Sequence, residues 1–294
     1  MKRTNQPIGI FDSGLGGLTV LKKLQNKFPN ETFIYIGDTA HLPYGNKSTK
    51  AIINYSKQIS QYLIKQNVKL IIVACNTASS LALKSLNSQL NVPIIDVITP
   101  IKYNIIQNKI INRIGIVGTY NTIQSNAYYQ TLISINKKLK IFQQACPLFV
   151  PIIEENLQDD LIAHLAIKKY LTPLIENNIE VLILGCTHYP LIKEGIRQQI
   201  PKKIKILDSA NATTNYLNEY LKKQNLICLQ KTDNDRIIIT DEAKNFEALA
   251  CRILNKTNTT LEILNIIAPQ IIDVNRYADN DMILDDIIEI SNTL

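Results

Sequence analysis

The chain has 294 residues, 46% hydrophobic and 19% charged, which supplies one large or two medium cores and excludes a disordered chain. No apolar stretch approaches the roughly 18 residues of a membrane-spanning helix, and the run Ile8–Phe11 stops at Asp12, too short for a secretion leader, so a cytoplasmic protein with no membrane partner is expected. Net charge is +7, but residues 258–294 hold seven acids against Arg276 alone, so this segment is −6 and the rest +13; the lysines are scattered and not interleaved with aromatics, which favours a small anion over nucleic acid as partner.

In chain order, apolar runs predict strands at Ile8–Phe11, Thr32–Ile36, Leu70–Ala74, Pro93–Val97, Arg113–Val117, Lys140–Ala145, Val181–Leu184, Lys205–Leu207 and Arg236–Thr240. Longer segments between them, such as Leu18–Lys27, Thr49–Gln66 and Ala78–Leu90, have the length of helices. Alternation of this kind predicts an α/β protein with mostly parallel sheets. Ile and Asn are over-used throughout and read as a compositional bias.

The chain also echoes itself. Ile8-Gly9-Ile10-Phe11-Asp12-Ser13-Gly14 is matched by Ile114-Gly115-Ile116-Val117-Gly118-Thr119, 106 residues on. Ile71-Ile72-Val73-Ala74-Cys75-Asn76-Thr77 is matched by Leu182-Ile183-Leu184-Gly185-Cys186-Thr187-His188, 111 residues on. Two matches in the same order at near-equal offsets predict a duplicated α/β unit with a cysteine at one strand end in each copy.

Ligands of open α/β sheets sit beyond the carboxyl ends of the strands, so polar residues there are the candidates. Asp12-Ser13-Gly14-Leu15-Gly16-Gly17 joins the first strand to a helix, and its glycines let backbone N–H groups approach an anion. It lacks the Lys-Ser/Thr of a P-loop and is not a GxGxxG. Of five cysteines, Cys75, Cys146, Cys186, Cys228 and Cys251, none forms a CxxC, and there are only three histidines, which argues against a disulfide framework and a metal site. One cysteine at a strand end reads as a small core residue. Two at matched positions read as a pair, one thiolate and one thiol, acting as base and acid across a cleft. A helix N-terminus is expected to lower the pKa of such a thiol. His188 is positioned either to cap a turn or to exchange protons with Cys186. Asp12 ends the first strand, where it could hold or exchange a proton near a thiol, and Glu154 or Glu155 either faces the cleft or is solvated. His41 and His164 are expected to be surface residues.

Taken together, Phe11-Asp12-Ser13-Gly14-Leu15-Gly16-Gly17, Gly37-Asp38-Thr39-Ala40 with Pro43-Tyr44-Gly45, Ala74-Cys75-Asn76-Thr77-Ala78-Ser79 and Gly185-Cys186-Thr187-His188-Tyr189-Pro190 resemble the glutamate racemases. Gly118-Thr119 with Thr122, Val150-Pro151 with Glu154, and Asp208-Ser209-Ala210 extend the resemblance, in order, from about residue 7 to residue 255. The resemblance implies racemisation of glutamate for peptidoglycan with no pyridoxal phosphate, metal or other cofactor. It implies that Cys75 acts on D-glutamate and Cys186 on L-glutamate, with Asp12 assisting the first, His188 the second, and Glu154 a further acid near the second. Ser13, Tyr44, Gly45, Asn76, Thr77, Thr119, Thr122, Thr187 and His188, with Asp12, correspond to substrate contacts. The chain departs from the family at His41, where Arg is usual, and at Tyr120 and Asn121 within Gly-Thr-x-x-Thr.

The implied architecture is two pseudo-symmetric α/β domains, each a mostly parallel sheet flanked by helices, with the site in the cleft between them. The expected boundaries are 1–97 plus 208–257 for the first domain and 98–207 for the second. Residues 258–294 form an acidic extension, in which an apolar stripe predicts a helix at Met282–Ser291. A homodimer is an expected assembly. The alternatives are an aspartate racemase or related isomerase of the same superfamily, an inactive protein that binds an acidic amino acid, and a Cys–His hydrolase. The last fits poorly, because hydrolysis needs one nucleophile and the chain offers two matched thiols.

Overall fold

A computed structural model describes residues 2–106, 111–242, 246–256, 260–267 and 270–272. The helix expected at Met282–Ser291 lies outside the described residues.

The strands are β1 Ile8–Asp12, β2 Phe33–Gly37, β3 Leu70–Val73, β4 Ile94–Asp96, β5 Arg113–Gly118, β6 Lys140–Ala145, β7 Val181–Gly185, β8 Lys205–Asp208, β9 Arg236–Ile239, β10 Leu261–Ile263, β11 Asn265–Ile267 and β12 Gln270–Ile272. The helices are α1 Leu18–Lys27, α2 Thr49–Lys65, α3 Asn76–Leu81, α4 Leu83–Gln89, α5 Ile101–Ile106, α6 Tyr120–Gln124, α7 Ala127–Ile133, α8 Phe149–Glu154, α9 Leu161–Glu176, α10 Lys193–Gln199, α11 Ser209–Lys223 and α12 Phe246–Leu254. All nine expected strands are present. The helix expected over Ala78–Leu90 is α3 and α4, separated by a slight kink at Ala82 through which the helical hydrogen bonds continue. The apolar stretch Leu148–Ile153 lies mostly in α8, a helix that its composition did not distinguish from a strand.

Two sheets carry the fold. The first has order β10-β9-β2-β1-β3-β4 and the second β6-β5-β7-β8, and every pairing within them is parallel. The block β2-β1-β3-β4 repeats in β6-β5-β7-β8 with the same connectivity, so the sequence echo corresponds to a repeated topology. β1, β2, β3 and β7 are buried along their whole length, as parallel strands covered on both faces must be. Ile8 and Ile10 face α1, α11 and α12, while Phe11 faces the α2–α4 layer. In the second sheet, Leu182 and Leu184 pack toward α8, α9 and α10, and Ile183 toward α5 and α7. A short antiparallel hairpin, β11–β12, follows β10.

The abundant asparagines do structural work. All six non-glycine residues with positive φ among those described are asparagines, Asn67, Asn126, Asn156, Asn178, Asn225 and Asn255, with φ of 49–59°. Each stands just past a helix, α2, α6, α8, α9, α11 and α12 respectively, where a left-handed residue ends the helix and its unpaired carbonyls find partners.

Candidate active site

The carboxyl ends of β1 and β3 from the first sheet and of β5 and β7 from the second converge on one cavity of about 160 Å³. Ser13 follows β1, Cys75 follows β3, Thr119 follows β5 and Cys186 follows β7, so equivalent strand ends of the two repeats face the same space.

Cys75 is the N-cap of α3. Its sulfur accepts a hydrogen bond from the Ala78 N–H (3.5 Å), and its thiol donates to Ser13 Oγ (3.7 Å). Burial pushes the Cys75 thiol well above its ordinary pKa and the negative charge of Asp12 adds to this; the Ala78 N–H and Ser13 only partly offset them. The expectation of a thiol acidified by a helix N-terminus is therefore overturned here. One turn of α3 offers one donor, and removal from water outweighs it.

Cys186 lies 3.8 Å from His188 Nδ1, and His188 Nε2 lies 2.9 Å from Glu154 Oε1. Burial alone would lower the His188 pKa. The hydrogen bonds to Cys186 and Glu154 and their negative charge overcome this and hold it well above the usual histidine value. Of the two roles open to His188, the geometry supplies the proton-holding one. Glu154 faces the site, and Glu155 caps α8 through its backbone N–H.

Asp12 is fully buried behind the cavity wall. Its Oδ2 accepts from the Gly14 N–H (3.0 Å), and its Oδ1 accepts from Thr187 Oγ1 (3.3 Å), which joins the two halves beside Cys186. Burial raises its pKa, opposed by the positive charge of His188, the N–H groups of Gly17 and Gly14, and Thr187. The glycines of this turn are needed for closeness. A Cβ on Gly16 would fall 2.4 Å from His188 Nδ1 and 2.6 Å from Thr187 Oγ1.

Ser13, Tyr44, Gly45, Asn76, Thr77, Thr119, Thr187 and His188 all line the cavity with the two thiols, whereas Thr122 and Glu154 stand behind it. Thr77, Thr119 and Thr122 form a triangle of hydroxyls, with Thr119 2.9 Å from each of the others. Asn76 Nδ2 donates to Tyr128 Oη (2.8 Å) and Ser209 Oγ (3.1 Å), while its Oδ1 is buried without a partner. Tyr44 is held from below: its hydroxyl donates to buried Asp38 (2.5 Å), which also accepts from Thr240 Oγ1 (2.8 Å) and meets His41 Nδ1 (2.9 Å). His41 stacks on Tyr55 with ring centroids 3.8 Å apart. His41 is therefore a half-buried member of this network rather than a surface residue. His164 is also half-buried, and its backbone carbonyl accepts from Gln199 Nε2 (3.0 Å).

Residues not assigned to the site from the sequence also line the cavity, above all Cys146 and the apolar Leu42 and Pro147, together with Val150 and Pro151 of the resemblance motif. Cys146 follows strand β6 as Cys75 and Cys186 follow theirs, and that position was the available signal. Among the described residues no Lys or Arg lines the cavity, so an anionic ligand would meet hydroxyls, N–H groups and the proton held by His188. A wall of this kind, apolar on one side and carrying the matched thiols Cys75 and Cys186 with hydroxyl and N–H donors and His188, suits proton transfer at a carbon.

No helix among the described residues is long and apolar enough to cross a membrane. The Asp/Glu/Hydantoin racemase family profile matches residues 16–217. The chain is 44% identical over 254 residues to a glutamate racemase of Sulfurihydrogenibium sp. (strain YO3AOP1), covering 86% of this chain and 95% of that one. The crystal structure of glutamate racemase from Francisella tularensis subsp. tularensis SCHU S4 in complex with D-glutamate superimposes with a TM-score of 0.82 at 38% identity, covering 88% of this chain and 97% of that one. Glutamate racemase isoform RacE1 from Bacillus anthracis gives 0.84 at 32% identity, with coverages of 91% and 99%. With two matched thiols at the ends of repeated strands and likeness over nearly the full length of these relatives, the chain belongs to the Asp/Glu/Hydantoin racemase family, on its glutamate racemase branch.

Proposed function

We propose that this chain interconverts L- and D-glutamate by a two-base mechanism that uses its own thiols and no cofactor, and that its D-glutamate serves peptidoglycan synthesis. The observation that carries the reading is the pair Cys75 and Cys186, placed by topologically equivalent strands on one cavity. Racemisation needs a proton removed from one face of the α-carbon and another delivered to the opposite face, and two sulfurs on separate halves of the molecule meet that need.

The physical difficulty is the α-hydrogen, a very weak acid beside a carboxylate. Hydroxyls of Ser13, Thr77, Thr119 and Thr187 and nearby backbone N–H groups would hold the carboxylates and the charge that develops. The unpartnered Asn76 Oδ1 is an acceptor suited to the substrate ammonium. The raised Cys75 and His188 favour a proton on each at rest. With the Cys186 proton passed to His188, 3.8 Å away, L-glutamate would yield its α-proton to the Cys186 sulfur and receive one from the Cys75 thiol. From D-glutamate the roles reverse, with Cys75 as base. Asp12 is placed to answer charge changes near the first sulfur, and His188 with Glu154 those near the second.

The domain boundaries we propose are 1–97 plus 208–257 and 98–207. The membership of β1–β4 and β9 in one sheet and of β5–β8 in the other supports the division, while β10, Leu261–Ile263, carries the first sheet past residue 257 into the segment expected as an extension. We propose that the protein works in the cytoplasm. We propose a homodimer on the exposed aliphatic face of α9, where Leu161, Ile162 and Leu165 are 69%, 47% and 58% exposed. Light scattering after size exclusion tests it.

Circular dichroism of L-glutamate incubated with dialysed protein tests the activity. The signal should decay to zero, and D-glutamate should decay from the opposite sign; L-aspartate should remain optically active. Cys75→Ser and Cys186→Ser should each lower racemisation by about 10²–10⁴-fold, while each retains elimination of water from an analogue that needs one base. A racemisation rate equal to wild type in either variant refutes the two-base assignment.

A further inference from the structure

We infer that Asn121 is a positioning residue that clamps the two halves of the molecule together over the cavity and so governs how readily substrate enters and product leaves. The inference rests on the racemase reading for its substrate. The cavity is roofed in part by the segment Leu42–Asn46 of the first half. Its turn, Tyr44–Asn46, is fixed on its own side by the Tyr44–Asp38–His41 hydrogen bonds and by the stacking of His41 on Tyr55.

From the opposite half, Asn121 on α6 spans the same turn. Its Nδ2 donates one hydrogen to the Tyr44 carbonyl (3.1 Å) and another to the Lys47 carbonyl (2.8 Å). Both N–H groups of one amide are thus engaged, one at each end of the turn, and α6 is held in place by its Thr119 cap. The approach is close: a Cβ on Gly45 would lie 3.1 Å from Thr119 Cβ. Asn121 itself does not line the cavity. Other side-chain links between the halves include Thr77 to Thr119 and Thr122, Asn76 to Tyr128, Tyr128 to Ser209, and Thr187 to Asp12 and Thr19 around the site, with Arg252 to Asn156 and Lys193 to Asp208 away from it. Asn121 joins the halves without occupying the site. Separating them at the rim requires breaking its two hydrogen bonds. An acceptor-only group of the same shape would face two carbonyl oxygens and repel them.

The test uses the full chain with Asn121→Ala and the isosteric Asn121→Asp. Iodoacetamide modification of each cysteine is timed by mass spectrometry, and KM and kcat for glutamate are measured in parallel. Loss of two hydrogen bonds should speed modification of Cys75 and Cys186 about tenfold in both variants and raise KM about tenfold, with kcat changed by less than about threefold or increased. Cys251, outside the cavity, should react at the wild-type rate. The inference is overturned if folded Asn121→Asp leaves cavity-thiol modification and KM within about twofold of wild type. It is also overturned if Cys251 accelerates equally, which would show general loosening. Thiol modification needs no turnover, so an inactive wild-type protein would sink the racemase reading and leave the clamp test standing.

Discussion

At Cys75 and His188 burial acts in the same way, penalising charge, yet the outcomes differ because their neighbours differ. Cys75 has an N–H, a hydroxyl and a nearby carboxylate, and its thiol is driven upward. His188 has a sulfur on one nitrogen and a carboxylate on the other, and it holds its proton. For His188 the sign is that of a raised base: its contribution to folding is full below pH 6.5 and is lost as pH rises through its higher folded value. Removing the Glu154 charge should lower that folded value. We therefore expect Glu154→Gln to shift the alkaline limb of kcat/KM toward lower pH, read from a pH–rate profile. An unmoved limb would mean that Glu154 does not tune His188. The two thiols and His188 were legible in the sequence because the repeat singled out their positions. The lowered thiol pKa was misjudged because burial is a property of the assembled fold, not of a helix start.

Among elements, the turn from β1 to α1 is the most constrained. It brings backbone within touching distance of His188 and Thr187 from the other half, so Gly16 has no room for a side chain. Gly16→Ala should displace His188 and lower kcat by about 10²-fold, the scale of an ångström-sized misplacement, while far-ultraviolet circular dichroism stays native. A variant with wild-type kcat would show that the ring position is not critical. Strands were readable because buried parallel strands are short continuous apolar runs between longer helical segments, even though Ile is common in both. The asparagines were not readable as helix stops from their abundance alone. Their meaning emerges only at the six positions where the chain turns left-handed. Likewise, Tyr128 and Ser209 on Asn76, and Asn121 on Tyr44 and Lys47, join residues tens of positions apart, and no local spacing announces such contacts.

At the scale of the whole molecule, the first sheet extends beyond the region of sequence resemblance. β10 pairs with β9, Leu264 is buried, and Arg236 holds Glu262 with two hydrogen bonds. A chain ending at 258 loses all three. Loss of one buried Leu and a strand should lower the melting temperature by about 5–10 °C, more than the half-exposed ion pair alone would explain. A chain ending at 272 should keep kcat within a few-fold, since the proposed proton carriers all precede residue 190. Parallel thermal melts and racemisation assays check both, and an unchanged melt for the shorter chain would show β10 to be dispensable. The repeated topology, finally, has a consequence for timing. On the two-base reading, a turnover from L to D ends with the proton moved from one sulfur to the other. The molecule that has just released D-glutamate is then loaded to accept D-glutamate, not L. To run twice in the same direction it must first reset, trading protons with water while empty. At saturating substrate neither step depends on concentration any longer, so net flux is set by whichever of the reset and the carbon chemistry is slower.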